Sequence, residues 1–378
     1  MDTATLASFE KSRDLSHQTV RSLCYAPFAN LYLDEFGHVR VCCWNWKVPV
    51  GNVLRNTMDE IWNGPAINEL REKLAAYELA TGCDFCEFQT ADGVLGSAKM
   101  KKFDRFEVSS RSPAWPKQIE FSISNACNLE CVMCDGDHSS AIRAHRENRP
   151  PMPRLYSNTF LDSMRPYLPH LAQAKFLGGE PFLVTEHFRI WDMMIEDGLT
   201  TTCHVTTNGT QWNDRIQRYL DRLRFGFAIS LDAATKETYE AIRVNASFDE
   251  VMANSRRFRE YARERKTGFD FTFCLMRLNW REFGQLCLLA DEWDALVCVN
   301  TVRRPASLGI YSLPVAELRL VLDGLERQAG ELDRRLIRNK KVWFDEVERI
   351  RARVRSGKRL TDLVAIEPAT ARAQAVSA

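Results

Sequence analysis

Three cysteines fall close together in the run Ser124-Asn125-Ala126-Cys127-Asn128-Leu129-Glu130-Cys131-Val132-Met133-Cys134. Clustered thiolates select soft metals, either zinc or an iron-sulfur cluster, and both ordinarily take four ligands. This run offers three. His138 would complete a tetrahedral zinc site, whereas a four-iron cluster on three thiolates keeps one iron open for a small molecule. A second group is more widely spread, with Cys24, then Gly37 and Cys42, then Cys83-Asp84-Phe85-Cys86. Four thiolates in two pairs close equally well around zinc or a cluster, and Cys43 is either a spare thiol beside them or a substitute for Cys42.

Both groups need elements to position them. From Gln118 to about Arg303 short apolar runs alternate with longer amphipathic stretches. The strand candidates are Gln118–Ser124, Ala174–Leu177, Thr201–Thr206, Phe225–Leu231, Phe269–Met276 and Leu296–Val302. Helical stretches such as Asn213–Leu223, Phe248–Arg265 and Trp280–Trp293 fall between them. Repeated β-then-α units imply a parallel sheet, and six of them suit an open, partial (β/α)6 barrel in an α/β fold. The three-cysteine run follows the first strand directly, at the sheet's carboxyl end, where such folds place their active sites. Gly178-Gly179-Glu180-Pro181, Thr206-Thr207-Asn208-Gly209 and Ser230-Leu231-Asp232 end the next three strands. Read alone, each is a turn; together, they bring polar groups to one face.

The spacing C-x3-C-x2-C after a first strand resembles the signature of the radical SAM superfamily, and the later elements match that family in order. The resemblance covers about residues 118 to 303. It implies a 4Fe-4S cluster on Cys127, Cys131 and Cys134 whose open iron chelates S-adenosylmethionine, which is cleaved reductively to a 5′-deoxyadenosyl radical. It places Met133 near adenine, Gly178, Gly179, Glu180 and Pro181 at the methionine amino group, Ser230 at the ribose or carboxylate, and Arg243 on the carboxylate. Asn208 joins this cofactor set. A bidentate guanidinium suits a carboxylate, although a solvated helix charge is the bland reading of Arg243.

C-x12-G-x4-C followed by C-x2-C, with Gly51-Asn52 and Glu60-Ile61-Trp62 between, resembles the SPASM/twitch module that carries auxiliary 4Fe-4S clusters. In that family it normally follows the barrel; here it precedes it and lacks further cysteines, so the single-cluster twitch type fits better. The resemblance gives Cys24, Cys42, Cys83 and Cys86 to a second cluster. The resulting organisation is a twitch-like module over 1–96, a linker over 97–117 ending at Pro113 and Pro116, the barrel over 118–303, and a helical extension over 304–378 frayed from Val364 onward.

Abstraction of hydrogen from carbon leaves either oxidation or, if a thiol returns a hydrogen atom, epimerisation. Cys203, Cys274, Cys287 and Cys298 lie outside the ligand sets. Cys274, midway along a strand, is the first donor candidate and Cys203 the second, against the ordinary expectation that each is a buried small hydrophobe. Enzymes similar in modules act on carbohydrates, and peptide maturases commonly add a leader-binding domain that this sequence does not suggest. The expected substrate is therefore a carbohydrate-like small molecule, a sugar, cyclitol or other natural product. A flavodoxin or ferredoxin is the expected electron donor, and a SPASM-type peptide maturase or a non-catalytic electron carrier are the alternatives. Lys plus Arg number 51 against 50 Asp plus Glu, which argues against nucleic acid as partner. No apolar run is long enough for a bilayer and no signal peptide precedes the first module, so a cytoplasmic chain is expected.

Overall fold

The computed structural model describes residues 3–91 and 93–363; the stretch from Val364 lies outside them. Nine strands form one sheet in the order β3-β2-β1-β4-β5-β6-β7-β8-β9. They are β1 Asn30–Asp34, β2 His38–Arg40, β3 Gly51–Asn52, β4 Gln118–Ser122, β5 Gln173–Phe176, β6 Thr202–Thr207, β7 Arg224–Ser230, β8 Phe269–Leu275 and β9 Val297–Thr301. The strands β4 to β9 coincide within a few residues with the six expected from the alternation and pair in parallel throughout. One feature differs from expectation. The run after Cys24, read as part of a small separate module, is β1, and it pairs in parallel with β4 from Asn30 opposite Gln118 to Asp34 opposite Ser122. The amino-terminal cysteine segment thus shares the barrel's own sheet, with β2 and β3 added antiparallel outside it.

Along β5, β6 and β8 the burial alternates with period two, while β4 is buried throughout and β7 nearly so. On β5 and β6, Ala174, Phe176, Cys203 and Val205 are fully buried, while Lys175, His204 and Thr206 between them are only partly so. The buried set faces the helices: Phe176 packs on Trp191 of the helix Thr185–Glu196, Phe227 on Phe258 of Phe248–Arg265, and Phe273 on Phe283 of Phe283–Glu292. Parallel strands covered on both sides read as continuous apolar runs. Here the alternation means that the inner face is polar and reached by solvent.

The sheet must be curled for this inner face to enclose anything, and the contacts across it show that it is. In the 3-10 turn Lys99–Phe103, Lys99 Nζ donates to the Val299 carbonyl at 3.0 Å on β9, and Lys102 Nζ reaches Glu120 on β4 at 2.8 Å. In a flat sheet, β4 and β9 would stand about 24 Å apart at about 4.8 Å per strand. Tyr32 of β1 and Asn300 and Thr301 of β9 nevertheless line one cavity of about 260 Å³, too small to span a flat sheet, so the strands must close round this segment. The helices Val315–Arg335 and Lys340–Ser356 cover the β9 side, where the Asn339 side chain accepts from Val297 N and donates to the Ala295 carbonyl. Arg353 of the second helix donates to the Phe88 carbonyl, tying the tail to the cysteine-bearing helix Asp84–Thr90.

Candidate active site

The three-cysteine loop is held by backbone groups from the ends of neighbouring elements. Gly179 N donates to the Ser124 carbonyl at 3.0 Å and Glu180 N to the Ala126 carbonyl at 2.7 Å; farther along, Glu130 N and Val132 N donate to Val244 and Ile242. Ser139 Oγ donates to the Leu129 carbonyl at 2.6 Å, and Asn208 Nδ2 to Asn128 Oδ1 at 3.0 Å. The glycines admit the loop. Gly178 has φ +112°, and a Cβ on Gly179 would lie 2.3 Å from the Ala126 carbonyl oxygen. The close approach these two residues permit is thus made by the chain's own cysteine loop.

Around the loop stand the residues expected to hold S-adenosylmethionine. The Glu180 carboxylate is fully buried and accepts from Thr207 Oγ1 at 2.8 and 2.9 Å, Asn208 N at 2.8 Å and Phe182 N at 3.2 Å. Burial nevertheless pushes its carboxyl up to about 7. Ser230 is half-buried on the inner face and accepts from Thr272 Oγ1 at 3.2 Å. Met133 packs with Val132 and Cys274 against Ile242, Met276 and Val302. Arg243 is no solvated helix charge: Nε binds Asp232 Oδ2 at 2.6 Å, Nη1 points at Cys131 Sγ at 3.8 Å, and the other Asp232 oxygen accepts from Cys274 N. Its ion-pair partner within the chain is Asp232. Because that carboxylate is fully buried, Arg243→Met is expected to lower stability by about 3 to 5 kcal/mol. A fall in the urea midpoint checks this, with Arg243→Lys recovering part of it.

The donor candidates separate cleanly. Cys274 lies on the inner face, where burial and then Asp232 raise its thiol and Arg243, Cys134 and Cys131 are its other charged neighbours. Cys203 points the other way. Its Sγ is 3.8 Å from Met194 Sδ on the outer helix layer, so the expectation that it could serve beside Cys274 is corrected: the parity of β6 turns it from the site. Cys287 is likewise buried against helices, and Cys298 is exposed on β9.

The second cysteine set is assembled from three separate segments. Cys86 is raised by burial and then by Cys42, Cys24, Cys83 and Cys43, and Cys42 by burial and then by Cys43, Cys24 and Cys83. Cys43, by contrast, has after burial Glu120, Lys102, Lys175 and Arg303 as its neighbours. Of the adjacent pair, Cys42 therefore stands among the other three thiols, and Cys43 turns to the inner face. Glu120, Lys102 and Lys175 were not singled out by the sequence; the signal for Glu120 and Lys175 was the polar alternation Gln118, Glu120, Ser122 and Gln173, Lys175 within their strands, and Lys102, in a 3-10 turn, had none. His138, the candidate fourth zinc ligand, is engaged by Asp135 at 2.6 Å and Glu35 at 3.5 Å.

Among the described residues no group of three or more His, Cys, Asp or Glu side chains is gathered to hold a single metal ion. A four-iron cluster asks for something else, one thiolate at each of several separated irons. The donor chemistry fits it. Cys131 and Cys127 are the first charged neighbours of Cys134, all twelve cysteines are free, and Leu129 N points at Cys127 Sγ, a contact that favours its thiolate.

Residues 121–290 match the family model described as the Radical SAM superfamily, and residues 24–87 match that of the SPASM iron-sulfur cluster-binding domain. A search of the curated proteins finds no match. Among solved structures, native anSMEcpe with bound AdoMet is 19% identical, over 56% of this chain and 60% of that one, with a TM-score of 0.39. Streptococcus suis SuiB is 14% identical over 80% and 68%, TM-score 0.40, and a radical SAM methyltransferase from Sphaerobacter thermophilus is 16% identical over 60% and 61%, TM-score 0.36. The matched region thus spans three fifths of the first of these structures.

Proposed function

Since the chain belongs to the radical SAM superfamily and carries a SPASM-type iron-sulfur module ahead of its barrel, we propose that it removes a hydrogen atom from a carbon of a small polar molecule, a sugar or cyclitol being the type. Its cofactors are a 4Fe-4S cluster with S-adenosylmethionine and an auxiliary iron-sulfur cluster. Bound together, the first two supply the 5′-deoxyadenosyl radical that such a hydrogen abstraction requires. In this reading Cys127, Cys131 and Cys134 hold the first cluster, and Cys24, Cys42, Cys83 and Cys86 the second. Gly178 to Pro181, Asn208, Ser230 and Met133 line the place of S-adenosylmethionine, and Arg243 orients its carboxylate while Asp232 fixes the guanidinium. A cytoplasmic flavodoxin or ferredoxin would supply the electron.

The observation that carries the substrate reading is the polar, solvent-reached inner face, from Lys175 and His204 to Thr272 and Asn300. An apolar substrate would strip water from this polar face without replacing its hydrogen bonds, whereas hydroxyl and amine groups replace them. Cys274, on that face, is the thiol placed to return a hydrogen atom. A hydrogen atom returned this way gives a redox-neutral epimer and leaves a thiyl radical that one electron and one proton restore; where none is returned, loss of a proton, with an electron that the auxiliary cluster would accept, gives an oxidised product.

The test is to incubate reconstituted protein, dithionite and S-adenosylmethionine in deuterium oxide with sugars, aminocyclitols and short peptides, followed by mass spectrometry. A small polar substrate that gains one deuterium, or loses two hydrogens, bears the reading out. Modification of peptides alone would sink it. If deuterium is gained, Cys274→Ala is expected to abolish that gain while 5′-deoxyadenosine is still formed.

No helix among the described residues is long and apolar enough to cross a membrane.

A further inference from the structure

A cavity of about 260 Å³ opens on the inner face, lined by Tyr32, Cys43, Trp44, Lys99, Asn300 and Arg303 among others. His138, which follows the three-cysteine loop, and Phe85, which precedes Cys86, also touch it, so it lies between the two cysteine sets. Three cations, Arg40, Lys99 and Arg303, and two carboxylates, Asp34 and Glu35, line it, with Asp34 bound by Arg40 and Glu35 facing His138 at 3.5 Å, so the excess is positive. Lys99 is half-buried at the wall with its Nζ on a neutral carbonyl, that of Val299. Beneath, Lys102 and Lys175 share the single carboxylate of Glu120, at 2.8 and 3.3 Å. Arg105, beside them, donates to the amide oxygens of Gln118 and Gln173, which carry no charge.

Half-buried cations that outnumber their anions are costly, and all but Lys102, which burial lowers but Glu120 and Cys43 raise, respond as that predicts. Burial lowers Lys99; burial and then Lys102 lower Lys175; and burial, then Lys175, Arg105 and Lys102, hold His204 down at about 3. Glu120 is overdrawn: although burial pushes it up, Lys102 and Lys175 bring it to about 2. The auxiliary cysteine set is not what these cations face. Cys86 has Cys42, Cys24, Cys83 and Cys43 as its charged neighbours, Cys42 has Cys43, Cys24 and Cys83, and Cys24 has Cys83, Arg13 and Asp104, whereas Lys102, Lys175 and Arg303 neighbour Cys43, on the cavity side.

We propose that this cavity binds an anionic group of the substrate, a carboxylate or a phosphate, with Lys99 contacting it and Lys102 and Lys175 supplying the positive field beneath. The inference rests on the reading of the chain as acting on a small polar molecule, and adds the charge of that molecule. A neutral sugar would leave the cation excess unanswered; an acidic or phosphorylated one would answer it. Arg303, over the Phe85 ring at 5.4 Å, forms part of the same wall.

Two fluorinated probes test this on the reconstituted protein without turnover: trifluoroacetate for a carboxylate and monofluorophosphate for a phosphate, each titrated by fluorine NMR with S-adenosylmethionine present. At least one probe is expected to bind wild type at least about tenfold more tightly than Lys99→Met, a step of about 1.4 kcal/mol, with Lys99→Arg retaining binding. Preference between the probes tells carboxylate from phosphate. Equal affinity of wild type and Lys99→Met for both, or no binding to wild type, overturns the proposal. Because 5′-deoxyadenosine formation by wild type is scored separately, anion binding without it would mean that the radical reading, and not the anion site, had failed.

Discussion

Replacing Cys127, Cys131 and Cys134 together by alanine is expected to remove about four irons from each reconstituted chain and to abolish S-adenosylmethionine cleavage, while the fold survives. The loop is positioned by backbone bonds, from Gly179, Glu180, Glu130 and Val132, and by Ser139 and Asn208, none of which uses a cysteine sulfur. Removing three sulfurs therefore removes the donors and leaves the scaffold. The iron on Cys24, Cys42, Cys83 and Cys86 should remain, because that set is built from the segments around β1, β2 and the helix Asp84–Thr90. Iron and sulfide analysis with a circular dichroism spectrum checks both halves. Loss of all iron with the fold intact would mean that the two sets do not load independently.

Gly179→Ala is expected to be nearly as damaging although it touches no ligand. The added Cβ would meet backbone on the cysteine loop, the Ala126 carbonyl oxygen at 2.3 Å and the Ala126 carbonyl carbon at 2.7 Å. Backbone cannot rotate away as a side chain can, so the loop must shift. A displacement of about 1 Å at a reacting centre costs on the order of 100-fold in rate, and the overpacking costs about 1 to 3 kcal/mol in stability. Gly330→Ala is the control. It lies in the helix Val315–Arg335 with nothing within 4 Å of the added carbon, and it should leave cleavage unchanged while stabilising the chain by about 0.5 to 1 kcal/mol. Rates of 5′-deoxyadenosine formation for the two variants decide it; equal rates would mean that the glycine pair does not set the loop.

What the sequence made legible follows from locality. The six parallel strands β4 to β9 were readable because each is a short apolar run between amphipathic helices, and the three-cysteine loop because its spacing is fixed within one turn of chain. The partner of β1 was not readable. Asn30–Asp34 looks like any short strand, and only the packed sheet decides that it lies beside β4, more than eighty residues on. The side of Cys203 was equally hidden, since period-two alternation gives two faces without saying which is inside, and a small apolar residue suits either. The choice between Cys42 and Cys43 lay in the bend after β2, whose course only the packed structure shows. Lys99, Lys102, Lys175 and Glu120 carry no motif, and their meaning arises from being brought to one curled inner face by segments far apart in sequence.

The most direct measurement is of 5′-deoxyadenosine and iron from the wild-type chain, reconstituted anaerobically with iron and sulfide and then given dithionite and S-adenosylmethionine. The expected result is about eight irons per chain, for two 4Fe-4S clusters, with 5′-deoxyadenosine accumulating only when reductant is present. Bound zinc in place of iron, or fully loaded clusters that form no 5′-deoxyadenosine, would contradict it.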